Sequence, residues 1–321
     1  PRHGEGSWQE SLKVLAYAPG VWSSYEYAGV AARAARVVRR WDAGGAKVYA
    51  DSAAAAMKWA ERELPRRKDS KDPHAVADAR NLAAAELYRL TGERRWHEIF
   101  LATTAMTDPK AELFEWKHHE QREAAWVYCR TDRDEADAKI RKTCRAALIR
   151  EADQRVRWSG RTGFRWTKYP WHPIDWGGFT RPDAIGLARA HVLTGASKYL
   201  RAMVLTCQVG LGANPVNLCY TTGLGHESPQ HPLHVDSRML NVPPPAGITV
   251  FGPVDPLKHR NYFGQKLVAP YCHPKPEKWP TIEAFWDVFW FPAMCEYTVQ
   301  NPMANVAYVW GYLAARPRIR N

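Results

Sequence analysis

The sequence predicts an all-α protein whose helical hairpins stand side by side as an α/α toroid. Three observations carry that prediction. Apolar residues recur at three- and four-residue spacings over most of the chain up to Leu211, strand-like runs are few and short, and one helix–turn–helix segment is echoed later in the chain.

The periodic segments begin near Ser24 and predict helices over Tyr25 to Arg40, Lys47 to Leu64, Pro73 to Leu90 and Arg94 to Met106. Four more are expected over Glu120 to Cys129, Glu135 to Trp158, Pro182 to Leu193 and Lys198 to Leu211. Ile248–Phe251 is the clearest of the short strand signals. The echo pairs residues 84–106 with residues 186–209: a helix, then Leu-Thr-Gly, a short link, and an aromatic residue opening the next helix. Gly92 and Gly195 suit the left-handed position that ends a helix, and Trp96 and Tyr199 are placed to pack back across the turn. The two copies lie too far apart, with too irregular a spacer, for a tetratricopeptide period of ~34 residues, so a ring of hairpins fits better. Residues 212–280 then turn loop-rich, dense in Gly, Pro, His and aromatics, and a loop of that length with that content points to function. The whole of residues 1–321 is expected to form one domain.

Composition narrows the function. Of 321 residues, 45 are Lys or Arg and 33 Asp or Glu, a formal net charge of +12 that suits an anionic partner or a solvated basic face. The basic residues are dispersed, as in Arg33, Arg36, Arg39, Arg40 and later Arg66, Arg67, Lys68, without a sustained basic–aromatic ladder, so no nucleic-acid partner is expected. The six cysteines, Cys129, Cys144, Cys207, Cys219, Cys272 and Cys295, are widely spaced with no zinc-ligand pattern, and free, mostly buried thiols are expected. No apolar run approaches the roughly 20 residues of a membrane span, and no signal peptide is visible.

Glu296 stands out because it lies in an aromatic and apolar run, residues 279–302. A carboxyl group held among Trp286, Trp290, Phe291 and Tyr297 loses solvation of its charged form, which moves its pKa toward the range of a general acid. Glycosidic bond cleavage needs that of one of its two carboxylates. The alternative is an amphipathic helix whose lone Glu points outward or caps a neighbour.

Residues 211–238, LGANPVNLCYTTGLGHESPQHPLHVDSR, followed by MCEYTVQNP at 294–302, resemble glycoside hydrolase family 9. WHPIDWGG (171–178) resembles the family's Trp-Gly active-site loop, and SSYEYAGVAARAARV (23–37) one of its early helices. The resemblance implies an (α/α)6 toroid with a substrate cleft and long active-site loops, cellulase-like inverting hydrolysis of β-1,4-glucan polysaccharides or oligosaccharides, and a secreted or periplasmic location. It makes Glu296 the general acid, His234 a substrate-binding histidine and Trp176 a sugar-contacting aromatic. Arg238, Tyr220, His231 and Trp290 complete the expected substrate-binding set. No cofactor and no metal are expected, since no EF-hand-like spacing of acids occurs.

The chain departs from the family pattern in three places. The Pro-His-His-Arg segment reads Pro232-Leu233-His234-Val235, with Arg238 close enough to replace the missing Arg, and Cys295 stands where the family has Asn. The Asp-Ala-Gly-Asp motif that supplies the water-activating base is absent. Asp42-Ala43-Gly44-Gly45 is better read as a helix-ending turn. On this reading the chain corresponds to the C-terminal part of the toroid, incomplete at its N-terminus, and an exposed apolar flank favours a homodimer. Replacement bases within the chain are Asp236 and Asp175, with Glu26 and Asp287 behind them. Two other readings stay open: a non-catalytic carbohydrate-binding remnant, and an α/α-toroid polysaccharide lyase drawing on His231, His234, Tyr220 and Tyr271.

Overall fold

The computed structural model describes residues 6–316 apart from 10, 14, 16, 17, 68–70, 170–173, 175 and 176. It is mostly helical, and the chain divides into two compact units: Leu15–Glu151, and Ala152–Asn321 together with Pro1–Val14.

The first unit holds α1 (Val21–Val38), α2 (Ala43–Glu63), α3 (Pro73–Thr91), α4 (Arg94–Thr103), α5 (Arg122–Tyr128) and the start of α6 (Ala138–Arg161). Helix α1 packs on both α2 and α3. Small residues make that approach possible: Ala28, Ala32 and Ala35 of α1, Ala53 and Ala60 of α2, and Ala83 and Ala84 of α3 are all buried. The carboxylate of Glu86 is fully buried between α1 and α3, where it accepts from Arg33 Nε at 2.5 Å and from Arg36. Asp42 opens α2 as its N-cap, its Oδ1 accepting from Gly45 N–H at 2.8 Å. The Asp-Ala-Gly-Gly segment therefore starts a helix, rather than ending one, and its carboxylate is occupied by a backbone amide. A short hairpin that the periodicity did not suggest, β1 (Phe114–Glu115) with β2 (His119–Glu120), turns the chain before α5.

The second unit continues α6 and adds α7 (Ile185–Thr194), α8 (Ser197–Gly210), α9 (Val235–Leu240), α10 (Phe263–Val268), α11 (Pro292–Cys295) and α12 (Ala304–Ala314). Ala152, Leu187, Tyr199, Met203, Cys207 and Val309 form the core that joins α6, α7, α8 and α12.

The echoed turns are the same structure twice. Gly92 and Gly195 both adopt positive φ, 75° and 71°. Thr91 Oγ1 donates to Leu87 C=O at 2.9 Å and accepts from Glu93 N–H at 3.1 Å; Thr194 Oγ1 donates to Ala190 C=O at 2.7 Å and accepts from Ala196 N–H at 3.2 Å. Trp96 and Tyr199 are both buried. Leu-Thr-Gly is thus a helix stop in which Thr closes the last turn and Gly takes the left-handed step.

Residues 212–280 are largely irregular, as expected, with α9 and α10 as short insertions. Ile248–Phe251 is not a strand; Thr249 makes one antiparallel bridge with Thr221. Nor is residues 279–302 one amphipathic helix: proline and aromatic turns break it, and only the four residues of α11 and a π-helical turn over Val299–Met303 are helical in its later part. All six cysteines are free, with Cys129 and Cys272 partly exposed and the rest buried. Among the described residues no helix is long and apolar enough to cross a membrane.

Candidate active site

The candidate site is assembled from the irregular segments of the second unit, beginning where α8 stops. Asn214 of the Gly-Ala-Asn-Pro turn is buried, and its Nδ2 donates to the carbonyls of Val209 and Leu218, both at 2.8 Å, while its Oδ1 accepts from Val216 N–H at 3.2 Å. That one side chain folds the exit from α8. The next segment pairs with residues 248–250: Val250 N–H donates to Tyr220 C=O and Thr222 N–H to Ile248 C=O, both at 3.0 Å. A Thr221–Thr249 hydroxyl contact at 2.9 Å closes the pair.

The chain then runs alongside Glu296. Phe251 N–H donates to Glu296 C=O at 2.8 Å, Gly252 N–H to Met294 C=O at 2.9 Å, and Leu233 N–H to Cys295 C=O at 2.8 Å. Residues 294–296 are therefore held from two sides by segments far away in sequence. Gly252 has φ 77°, and a Cβ there would sit 2.3 Å from Thr180 Cγ2, so only glycine permits this close approach. Met294, Cys295 and Phe291 are buried beneath, with Trp286 and Tyr262 against them, and Glu296 itself follows α11 in extended conformation and is half-buried. Phe291 and Trp286 of the same run thus belong to the cluster that buries residues 294 and 295. Burial, and next the charge of Glu296, push the Tyr262 hydroxyl up from its ordinary pKa.

His234 caps α9. Its Nδ1 accepts from Ser237 N–H at 3.2 Å and lies 2.7 Å from Ser237 Oγ. An amide only donates, so in the neutral ring the proton sits on Nε2, which is left to donate to a ligand. The ring stacks on Tyr297, the residue after Glu296, with centroids 6.5 Å apart. His231, His234 and Arg238 line one cavity of about 550 Å³ with Phe289, Asn241 and prolines 243 and 244, and no acid is in its lining. The Arg238 guanidinium lies over Phe289 at 4.2 Å and Trp290 at 4.8 Å. Phe289 joins the expected set here; its signal in the sequence was its place beside Trp290.

Other expected residues lie elsewhere. Tyr220 is fully buried, edge-on to Phe285 at 5.3 Å and Phe179 at 6.1 Å, and desolvation raises its hydroxyl pKa; it packs the core and offers no surface to a sugar. Tyr271 is 90% exposed after α10, and neither tyrosine lines the cavity with His231 and His234. Trp176 and Asp175 lie outside the described residues. Asp236 accepts from Ser7 N–H at 2.7 Å and Ser7 Oγ at 2.5 Å, which hold its carboxyl below the usual range. Asp287 accepts from the amides of Gln230 at 2.6 Å and His231 at 3.0 Å. Both acids therefore fasten loops. Glu26 belongs to the first unit, where burial and then Asp78 raise its pKa. Among the described residues no group of three or more His, Cys, Asp or Glu could hold a metal ion.

Glu296 thus sits on a loop tied by backbone bonds, one residue before Tyr297, which stacks on His234 of the neighbouring cavity. The profile of Glycosyl hydrolase family 9 matches residues 7–275, and the chain belongs to that family. The xyloglucan-specific endo-β-1,4-glucanase BoGH9A of Bacteroides ovatus is 30% identical over 135 residues, 40% of this chain and 23% of that protein. Among solved structures, the family 9 endoglucanase J30 superposes with a TM-score of 0.71 at 22% identity, covering 92% of this chain and 54% of its own. A thermostable endoglucanase from Alicyclobacillus acidocaldarius gives 0.73 at 20% identity, covering 92% and 55%. AaCel9A, solved with cellobiose-like isofagomine, gives 0.71 at 20% identity over the same shares. The fold is therefore that of family 9 domains, and this chain spans about half the length of those structures.

Proposed function

We propose that the protein hydrolyses β-1,4-linked glucans with inversion, in a helical frame that belongs to an (α/α)6 toroid, and that Glu296 is the general acid. The observation that carries this reading is the two-sided backbone clamp on residues 294–296, with amides of Leu233, Phe251 and Gly252 as donors. A proton donor must be fixed against the leaving oxygen, and a carboxylic acid on a loop tied at both sides meets that need. His234, donating through Nε2, would hold a sugar hydroxyl. Trp290 and Phe289 offer faces for pyranose stacking, with Arg238 and His231 as further donors. The family and the glucanases it resembles support β-glucan as the substrate class.

A second reading, binding without catalysis, is favoured by one observation: Asp236 and Asp287, the carboxylates on the segments next to this site, are each occupied by two donors. Inversion requires a second carboxylate free to activate water about 6.5–9.5 Å from the acid. The test is product release from cello-oligosaccharides and soluble β-glucan by the purified protein and by Glu296→Gln. Hydrolysis that falls by about 10² or more in the variant supports the enzyme. Saturable oligosaccharide binding with no hydrolysis in either protein supports the second reading.

A further inference from the structure

The first unit has a cavity of about 420 Å³ in which four cationic side chains, Arg130, Arg141, Lys142 and Arg145, converge with a single acid, Asp132. Three exposed basic residues elsewhere in this unit are paired with an acid four positions away: Lys47 with Asp51 at 2.7 Å, Arg67 with Glu63 at 2.9 Å, Arg94 with Glu98 at 2.9 Å. On α6 the spacing is reversed in sign. Arg141 and Arg145 are four apart on the same helix face with Lys142 beside them, an arrangement that repels rather than supports a helix.

Arg130 and Arg141 are held in place. The Arg130 guanidinium lies over the Trp126 ring at 4.2 Å, and Arg141 Nη1 donates to Thr131 C=O at 3.1 Å. Among the described residues Arg130, Arg141 and Lys142 have no ion-pair partner. The neighbouring Asp137 lies outside the cavity lining and caps α6, its Oδ1 accepting from the Lys139 and Ile140 amides at 2.8 and 2.9 Å. Asp134 and Glu135 are exposed on the preceding loop. The crowding extends inward: burial, then Arg36 and Arg130, lower the proton affinity of Arg89.

We propose that this cavity binds a phosphate group, free or esterified to a sugar. Three of these charges, Arg130, Arg141 and Lys142, lie together against their own repulsion without an acid partner, and an anion that neutralises several at once stabilises them. A phosphate, carrying about −1.5 to −2 at pH 7, does so better than a monovalent carboxylate. Its oxygens also match the fork of an arginine, which makes paired charge-assisted hydrogen bonds. The site is separate from the residues assigned to glycan chemistry and stands whether or not that assignment holds.

The test is calorimetric titration of the full chain with inorganic phosphate and with glucose 6-phosphate, at ionic strength held constant with sodium chloride. The proposal expects saturable one-site binding that weakens about tenfold or more in Arg141→Gln/Lys142→Gln and in the exposed Arg130→Gln. Lys139→Gln, an exposed lysine on the same helix outside the cavity, should bind as the parent does. Tighter binding of glucose 6-phosphate would identify the ester as the ligand, and equal binding the free ion. No saturable heat beyond the chloride control, or equal weakening in Lys139→Gln, would overturn the proposal.

Discussion

At the scale of single residues, Glu296 and His234 are held by different means and should fail differently. Ser237 sets the orientation and proton position of His234, so Ser237→Ala is expected to raise KM for oligosaccharides several-fold with a smaller effect on kcat, measured by steady-state kinetics. Asp236 gives a pH prediction. Its pKa is depressed in the folded protein by two Ser7 donors, so their contribution is full above the unfolded value of about 3.9 and is lost as pH falls through the lower folded value. Protection of the Ser7 amide relative to its intrinsic exchange at each pH should thus fall only below about pH 4, and Asp236→Asn should lower it already at pH 7. Glu296 stood out in the sequence by its aromatic setting, whereas His234 and Arg238 were singled out by the resemblance to family 9 motifs. The sequence misplaced Tyr220, because a tyrosine in an aromatic loop looks the same whether its ring faces a sugar or the core. The Ser7–Asp236 contact was not legible either: it joins residues 229 apart, and no local pattern encodes it.

At the scale of elements, the helices and their stops were legible because both depend on local chemistry: spacing of apolar residues, Thr91 and Thr194 closing the last turn, and a glycine beyond. Gly195→Ala meets no atom within 4 Å, so its cost is the left-handed backbone alone, about 1 kcal/mol. Gly92→Ala also presses on the Arg133 guanidinium at 3.2 Å and should cost more; chemical denaturation of both variants compares them. His97 of α4 adds a pH dependence to the first unit. It is buried, stacked on Tyr88 at 4.5 Å and bonded to Tyr128 Oη at 2.8 Å, and burial lowers its pKa. The unfolded chain then binds more protons, so stability should fall as pH drops below about 6.5, until the lower folded pKa is passed. A pH series of thermal melts in which His97→Gln flattens this slope would bear out the argument. The irregular segments were the least legible. An amphipathic helix was the alternative for residues 279–302, yet residues 294–296 are held by amides of residues 233, 251 and 252, which only the folded chain brings near.

At the scale of the whole molecule, a helical protein of family 9 was legible from the motifs of residues 211–238, and the two compact units were not, since the division falls inside the continuous helix α6. Tyr27, Val30 and Val37 form an exposed apolar stripe on α1, 47%, 62% and 51% accessible. Such a stripe favours association, so light scattering is expected to report a dimer, and Val30→Lys to shift it toward monomer; a monodisperse monomer at micromolar concentration would contradict this. The central claim, that Glu296 protonates the leaving group, is tested most directly by varying that group. Glu296→Gln should lose hydrolysis of cello-oligosaccharides, whose leaving sugar must be protonated, by about 10² or more, while hydrolysis of a dinitrophenyl β-cellobioside, which departs without a proton, stays within a few-fold of the parent. Equal loss on both substrates, or none on the oligosaccharides, would contradict the role assigned to Glu296.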